Sequence, residues 1–303
     1  MMLKLIVNAD DFGLSETVNE GILKAHEAGV LTSASIMANG AAFEHAVSIC
    51  RRIPSLDVGI HLTLVEEEPV VKANQVRSLV DATGRLHRSA ATFTRRYFAG
   101  KIRLQELQCE LEAQICKVMS SGIAVSHLDA HQHLHMLPQV LEITTKLAKK
   151  YGIEAIRFPR EAIRSYMFKG EGAVRRLLQL LVLTTFCHLG KNMTAVRTDH
   201  FLGFFFGGKL NKDSLHQLIK SLPTNGSCEL MCHPGCEDTM TRYAHWRYHW
   251  SSELAALTDS ETAELLRQSG VTLISYRQLV QAGAHDTAAT KQNDLATRPQ
   301  WNA

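Results

Sequence analysis

The sequence lacks an apolar run long enough to cross a bilayer. The longest, Leu177 to Cys187 (LLQLLVLTTFC), is too short to span and fits a core or interfacial helix. The first apolar run is shorter still and ends in two aspartates (MMLKLIVNADDFG), so no export signal is expected and the predicted location is cytoplasmic. An excess of one charge is missing too. With 33 Lys and Arg against 30 Asp and Glu, well mixed, the net charge is +3, and there is no basic stripe of the kind that nucleic acid requires. The seven cysteines include Cys228, Cys232 and Cys236 four residues apart, which is not the C-x-x-C spacing of zinc ribbons or redox pairs. Free thiols suit a reducing compartment. No G-x-S-x-G elbow and no phosphate-cradling glycine loop occurs, which argues against serine hydrolases and nucleotide-binding proteins.

What is present is ordinary globular material with one oddity. The 303 residues are 45% hydrophobic and 21% charged, enough for a sizeable core, and 15 of them are histidine, a common metal ligand and acid/base group. Short β-like runs alternate with helix-like ones. Strands are predicted at Leu3 to Ala9, Thr32 to Gly40, Asp57 to Leu64 and within AVSHLDAHQH, then at Ala155 to Pro159, Thr198 to Phe204, Cys228 to His233 and Val271 to Tyr276. Helices are predicted after Ser15, an N-cap, between Leu104 and Met119, from Pro138 to Tyr151, and over 172–189, 212–221 and 252–268. Strands alternating with helices imply parallel βα units, and seven or eight of them favour an α/β barrel over an open sheet. Residues 1–282 are predicted to form one such unit, with insertions near 66–103 and 165–195, followed by a polar tail, 283–303, expected to be disordered.

The polar residues gather where strands end, the face that carries chemistry in barrels. Asp10 and Asp11 in NADDFG repel one another unless a cation neutralises one, leaving the other as a base; a capped turn is the plainer alternative. His61 in GIHLTL reads alone as a buried strand histidine, but it lies on a strand running to the same face. SHLDAHQHLHMLP is the strongest signal. His127, Asp129 and His131 alternate with apolar residues, so a strand would point all three to one interior face, where they need partners or a metal. His133 and His135 continue the alternation toward Pro138. His233, before a Pro-Gly turn, is either an acid/base group or a satisfied core histidine. One Asp with two His around an open position suits a metal that activates water and polarises a carbonyl.

Taken together, NADDFG, GIHLTL, SHLDAHQHLHMLP and ELMCHPG resemble the YdjC-like carbohydrate deacetylases, in the family's order, from residue 5 to about 235. The resemblance implies an irregular β/α barrel related to polysaccharide-deacetylase-type barrels, and cleavage of an N-acetyl amide on a sugar. It implies a divalent ion, Zn²⁺ or Mg²⁺, held by Asp11, His61 and His131, with His133 the competitor for the last place. It further implies Asp10 as general base, a protonated His233 as general acid, and His127 and Asp129 in support. LVDATGRLHR, AIRFPRE, the 165–195 insertion and TDHFLGFFFGG are similar to the hopanoid-biosynthesis-associated branch, which implies an N-acetylglucosaminyl hopanoid lipid as substrate rather than a chitooligosaccharide. On that reading the 172–189 helix, with Arg175 and Arg176 at its edge, rests on a membrane or walls a greasy groove; otherwise it is an outer barrel helix. The competing functions are a metal-independent glycoside hydrolase, a metal phosphoesterase and a non-catalytic sugar-lipid carrier.

Overall fold

The computed structural model describes residues 2–168, 172–191, 193–237 and 241–282; the tail expected from 283 onward lies outside them. Its apolar runs become strands β1 (Lys4–Phe12), β2 (Ser33–Ile36), β3 (Asp57–Leu62), β4 (Val125–Ala130), β5 (Ala155–Ile156), β6 (His200–Leu202), β7 (Ser227–Cys232) and β8 (Thr272–Leu273). β2, β3 and β7 are buried at every residue and β1 at all but its first, which is why they read as continuous rather than alternating apolar runs. The order is β5-β4-β3-β2-β1-β7-β6, with every pair parallel. Parallel bridges from Ala155 to Val196 and from Glu161 to Phe201 bring the two ends of this row together, so the sheet curls into an irregular barrel. β8 pairs only with Lys4 and Leu5 of β1, below the point where β1 takes up β2 at Asn8, and so fills a gap at the floor.

The helices are α1 (Glu16–Glu27), α2 (Phe43–Arg52), α3 (Ala90–Phe98), α4 (Leu104–Ser120), α5 (Pro138–Lys150), α6 (Ala173–Leu189), α7 (Lys212–Lys220), α8 (Trp250–Thr258) and α9 (Ser260–Gln268). Ser15 caps α1 by accepting from Val18 N, and Pro138 opens α5. The single helix expected over 252–268 is two. Asp259 breaks it in an extended conformation and caps the second by accepting from Glu261 N at 2.8 Å. The outer-helix reading of α6 is also corrected. α6 packs against the turns Ser165–Phe168 and His131–Met136 at the barrel mouth rather than against the sheet, and it leaves Val174, Leu178, Leu181, Val182 and Leu189 exposed. The irregular 66–103 stretch carries α3 and is fastened by buried Glu110, whose carboxylate accepts from Val70 N and Val71 N at 2.9 and 3.0 Å. No helix among the described residues is long and apolar enough to cross a membrane.

Candidate active site

β1 does not stop before its aspartates. It runs through them to Phe12 with a register shift between Ala9 and Phe12, and Asp11 takes a left-handed φ of 64°. In a regular strand, neighbours point to opposite faces; the irregularity lets Asp10 and Asp11 both reach the carboxyl end of the barrel. There Asp11 Oδ1 lies 3.4 Å from His61 Nε2 and 3.0 Å from His131 Nδ1. These three residues offer donor atoms within 4.8 Å of one another, all buried. The other oxygen of Asp11 is buried without a partner.

This set fits a divalent ion. Each imidazole is braced from behind by a carboxylate, His61 Nδ1 by Asp129 at 2.8 Å and His131 Nε2 by Glu66 at 3.4 Å, the outer arrangement that aims a ligand nitrogen inward. Burial opposes charge here, yet Asp129 and Asp10 push the His61 pKa up to about 10, and Asp11 and Glu66 push that of His131 to about 9. Burial likewise opposes the charge of Asp11, but His131 and His61 hold its carboxyl well below the usual range.

Asp10 is held apart from this set by Arg157, a fully buried guanidinium on the segment after β5. Arg157 Nη1 and Nη2 donate to the two oxygens of Asp10 at 2.6 Å each. The same guanidinium reaches Asp129 at 2.8 Å and Glu229 at 2.7 Å. Burial would lower its pKa, but the three carboxylates keep it well above the ordinary value. Asp10, His61 and Asp129 also cluster tightly enough to suggest a second ion, but Arg157 already supplies that cation.

The histidine-rich stretch divides. β4 ends at Ala130, and left-handed Gln132 (φ 53°) and His133 (φ 55°) turn the chain, so the period-two pattern stops there. His131 enters the ligand cluster. His133 does not; its ring lies against Phe201 and Phe204, and its Nδ1 has no partner. His135 donates from Nε2 to the Arg157 carbonyl at 3.0 Å. His127 sits deeper, stacked on Tyr276 at 3.8 Å over Gly59, where a Cβ would come within 2.4 Å of the imidazole. It meets Ser35 at 3.4 Å, and Ser35 donates to Asp129 at 2.7 Å, so His127 touches the centre only through two other residues.

His233, just past β7, lines the same cavity as Asp10, His61 and His131. Its backbone N–H is held by Glu253 at 2.5 Å, and its Nδ1 has no hydrogen-bond partner. Burial lowers its pKa, outweighing the pull of Asp10 and Asp11. The sequence reading missed Arg157, Glu229, Glu66 and Trp246. A signal existed for the first two: AIRF and CELMC each place one charge inside an apolar strand run, and opposite charges so placed call for each other.

The cavity holds about 800 Å³. Beyond the polar end its lining is largely apolar, with Leu134 and Leu137, Phe98 of α3, and Leu178, Val182, Leu183 and Phe186 of α6, interrupted by Arg95, Arg175, Arg176 and Gln179. All five non-glycine residues with positive φ among the described residues (Asp11, Glu66, Gln132, His133 and Arg247) lie in the segments that build this end. Strain concentrated in this way is characteristic of functional sites.

The YdjC-like protein family model matches residues 4–268. A carbohydrate deacetylase of Brevibacillus brevis is 34% identical over 281 residues, 91% of this chain and 100% of the relative. A chitooligosaccharide deacetylase of Serratia marcescens is 31% identical over 281 residues, 91% of this chain and 98% of the relative. The crystal structure of an Enterococcus faecalis V583 protein, for which cellobiose-phosphate cleavage has been suggested, superposes with a TM-score of 0.72 at 28% identity, over 92% of this chain and 99% of that one. The motifs, the barrel and these relatives agree, and the chain belongs to the YdjC-like family, alongside the carbohydrate deacetylases.

Proposed function

We propose that the protein is a divalent-metal-dependent deacetylase that removes acetate from an N-acetylglucosamine-type sugar carried on a hopanoid-class lipid. The observation that carries this reading is a hydrolytic residue set opening directly into a cavity whose outer walls are largely apolar. Asp11, His61 and His131 would hold the ion, Zn²⁺ or Mg²⁺, which when bound polarises the acetamide carbonyl and acidifies water.

The chain's own residues supply the rest. Asp10, fixed by Arg157, takes a proton from the attacking water as the carbon–oxygen bond forms. The carbon–nitrogen bond then breaks, and the leaving nitrogen receives a proton from His233, giving acetate and a free amine. His233 regains its proton from solvent and Asp10 returns its own there, which balances the cycle. Asp129 orients His61, while Ser35 and His127 support Asp129 from below.

The exposed apolar face of α6, with exposed Arg175 near its start, supports a further element of the reading: peripheral contact with the inner face of the cytoplasmic membrane, where a lipid substrate resides. Liposome flotation of wild type beside Leu178→Ser tests this contact; equal flotation removes it. The likeness to the Serratia marcescens enzyme favours a second reading, a soluble chitooligosaccharide as substrate. Acetate release from a chitooligosaccharide and from an N-acetylglucosaminyl lipid, each with and without chelator, separates the two. Metal-sensitive turnover of the lipid alone supports the first reading, of the oligosaccharide alone the second, and chelator-insensitive sugar cleavage without acetate would point to a glycoside hydrolase.

A further inference from the structure

The loop after β3 and the loop before α8 meet over the metal centre through two consecutive glutamates. Glu67 accepts from Arg242 at 2.7 Å and from Tyr243 OH at 2.8 Å, fastening the second loop. Glu66 reaches the residues that face the cavity. One of its oxygens accepts from Trp246 Nε1 at 3.0 Å and lies 3.4 Å from Nε2 of the ligand His131; the other meets His245 Nε2 at 2.8 Å. Both sides of this joint are left-handed, Glu66 at φ 70° and Arg247, next to Trp246, at φ 55°. Non-glycine residues hold such conformations only where their surroundings impose them.

The consequence is an aromatic wall beside the chemistry. The Trp246 ring lies 4.9 Å from the His131 ring, tilted 35°, and Tyr248 continues the wall 5.3 Å further on. Trp246 and Tyr248 both line the cavity at its polar end, with His131 and His233. The one polar atom of Trp246 is taken by Glu66, so what Trp246 presents to the cavity is aromatic surface. A pyranose with equatorial substituents presents a face of C–H groups with partial positive charge, the complement of that surface. We propose that Trp246 is the platform for the sugar ring and that Glu66 is the positioning residue that locks the platform to the metal ligand His131. The proposal rests on the reading of the chain as a carbohydrate deacetylase, and it makes one carboxylate responsible for the distance between the sugar and the ion.

The test compares holoenzyme turnover of fully N-acetylated chitotriose with that of 4-nitrophenyl acetate, which carries an acetyl group but no sugar. Trp246→Leu is expected to lower the sugar-to-ester ratio of kcat/KM by about tenfold, with KM for the sugar bearing the loss, and Trp246→Phe to fall between it and wild type. Glu66→Ala lowers the same ratio and shifts indole emission; Glu66→Gln, which keeps an acceptor for Trp246 Nε1, restores both. An unchanged ratio in Trp246→Leu, or in Trp246→Phe should the first variant fail to fold, overturns the platform. A wild-type ratio and emission in Glu66→Ala overturn the positioning role. A wild type that cleaves the ester but releases acetate from neither chitotriose nor an N-acetylglucosaminyl lipid sinks the deacetylase reading instead. Calorimetry of chitotriose binding then judges the platform: weaker binding by Trp246→Leu supports it and equal binding overturns it.

Discussion

Arg157, fully buried, grips the cavity-lining Asp10 through both oxygens at 2.6 Å. A guanidinium fork fixes a carboxylate in plane as well as in place, which a lysine cannot do. Arg157→Lys is therefore expected to lower kcat for acetate release by about 100-fold while leaving KM for the sugar near wild type. Arg157→Met leaves three buried carboxylates without their cation, and urea denaturation should show a loss of about 3–5 kcal/mol. Wild-type kcat in the lysine variant would detach Arg157 from the chemistry.

Asp129 accepts from His61 and is not itself in the ligand cluster that contains Asp11. Asp129→Asn can present the wrong group to Nδ1 and free the ring to turn. Metal affinity, read by competition with a chromophoric chelator, should weaken by about 10–100-fold while the fold persists. An unchanged affinity would assign Asp129 to Arg157 alone.

Chelation should abolish acetate release and lower the melting temperature, because Asp11, His61 and His131 are assembled only in the native state. Titrating Zn²⁺ and Mg²⁺ back separately identifies the ion by which restores both properties. Activity that survives complete metal removal, verified by elemental analysis, contradicts the proposed mechanism.

His127 and His135 supply a pH signature of stability. Burial pushes both down to about 4, so the fold excludes the proton that an unfolded histidine accepts near its ordinary value of about 6.5. Their neutral state favours the fold above that value, and the advantage is lost as pH falls from about 6.5 through about 4. Denaturation across this window should show falling stability with a slope that His127→Gln reduces; an identical slope would mean that His127 does not titrate on unfolding.

Much of this was legible in the sequence, and the failures have physical causes. The strands announced themselves because both their faces are covered, and the period of two placed His127 and Asp129 on one side of β4 correctly. It could not follow the chain past Ala130, where Gln132 and His133 take left-handed conformations that a period-two pattern does not register. Asp11 is left-handed for the same unannounced reason. Arg157 escaped notice because one arginine in an apolar run looks like a sheet-edge residue until its three carboxylates, distant in sequence, are seen around it. The helix over α6 was found, but its place at the mouth depends on packing against turns that leave no periodic trace.

The left-handed residues at the site come from four separate stretches of chain, around Asp11, Glu66, Gln132 with His133, and Arg247. Each such conformation is held by its surroundings, so all of them depend on the barrel packed behind them. The catalytic end is then the last part of the molecule to be completed and the first to come apart. Acetate release should disappear on warming while circular dichroism still reports an intact sheet, which makes turnover a more sensitive gauge of native structure than any spectroscopic average over the chain.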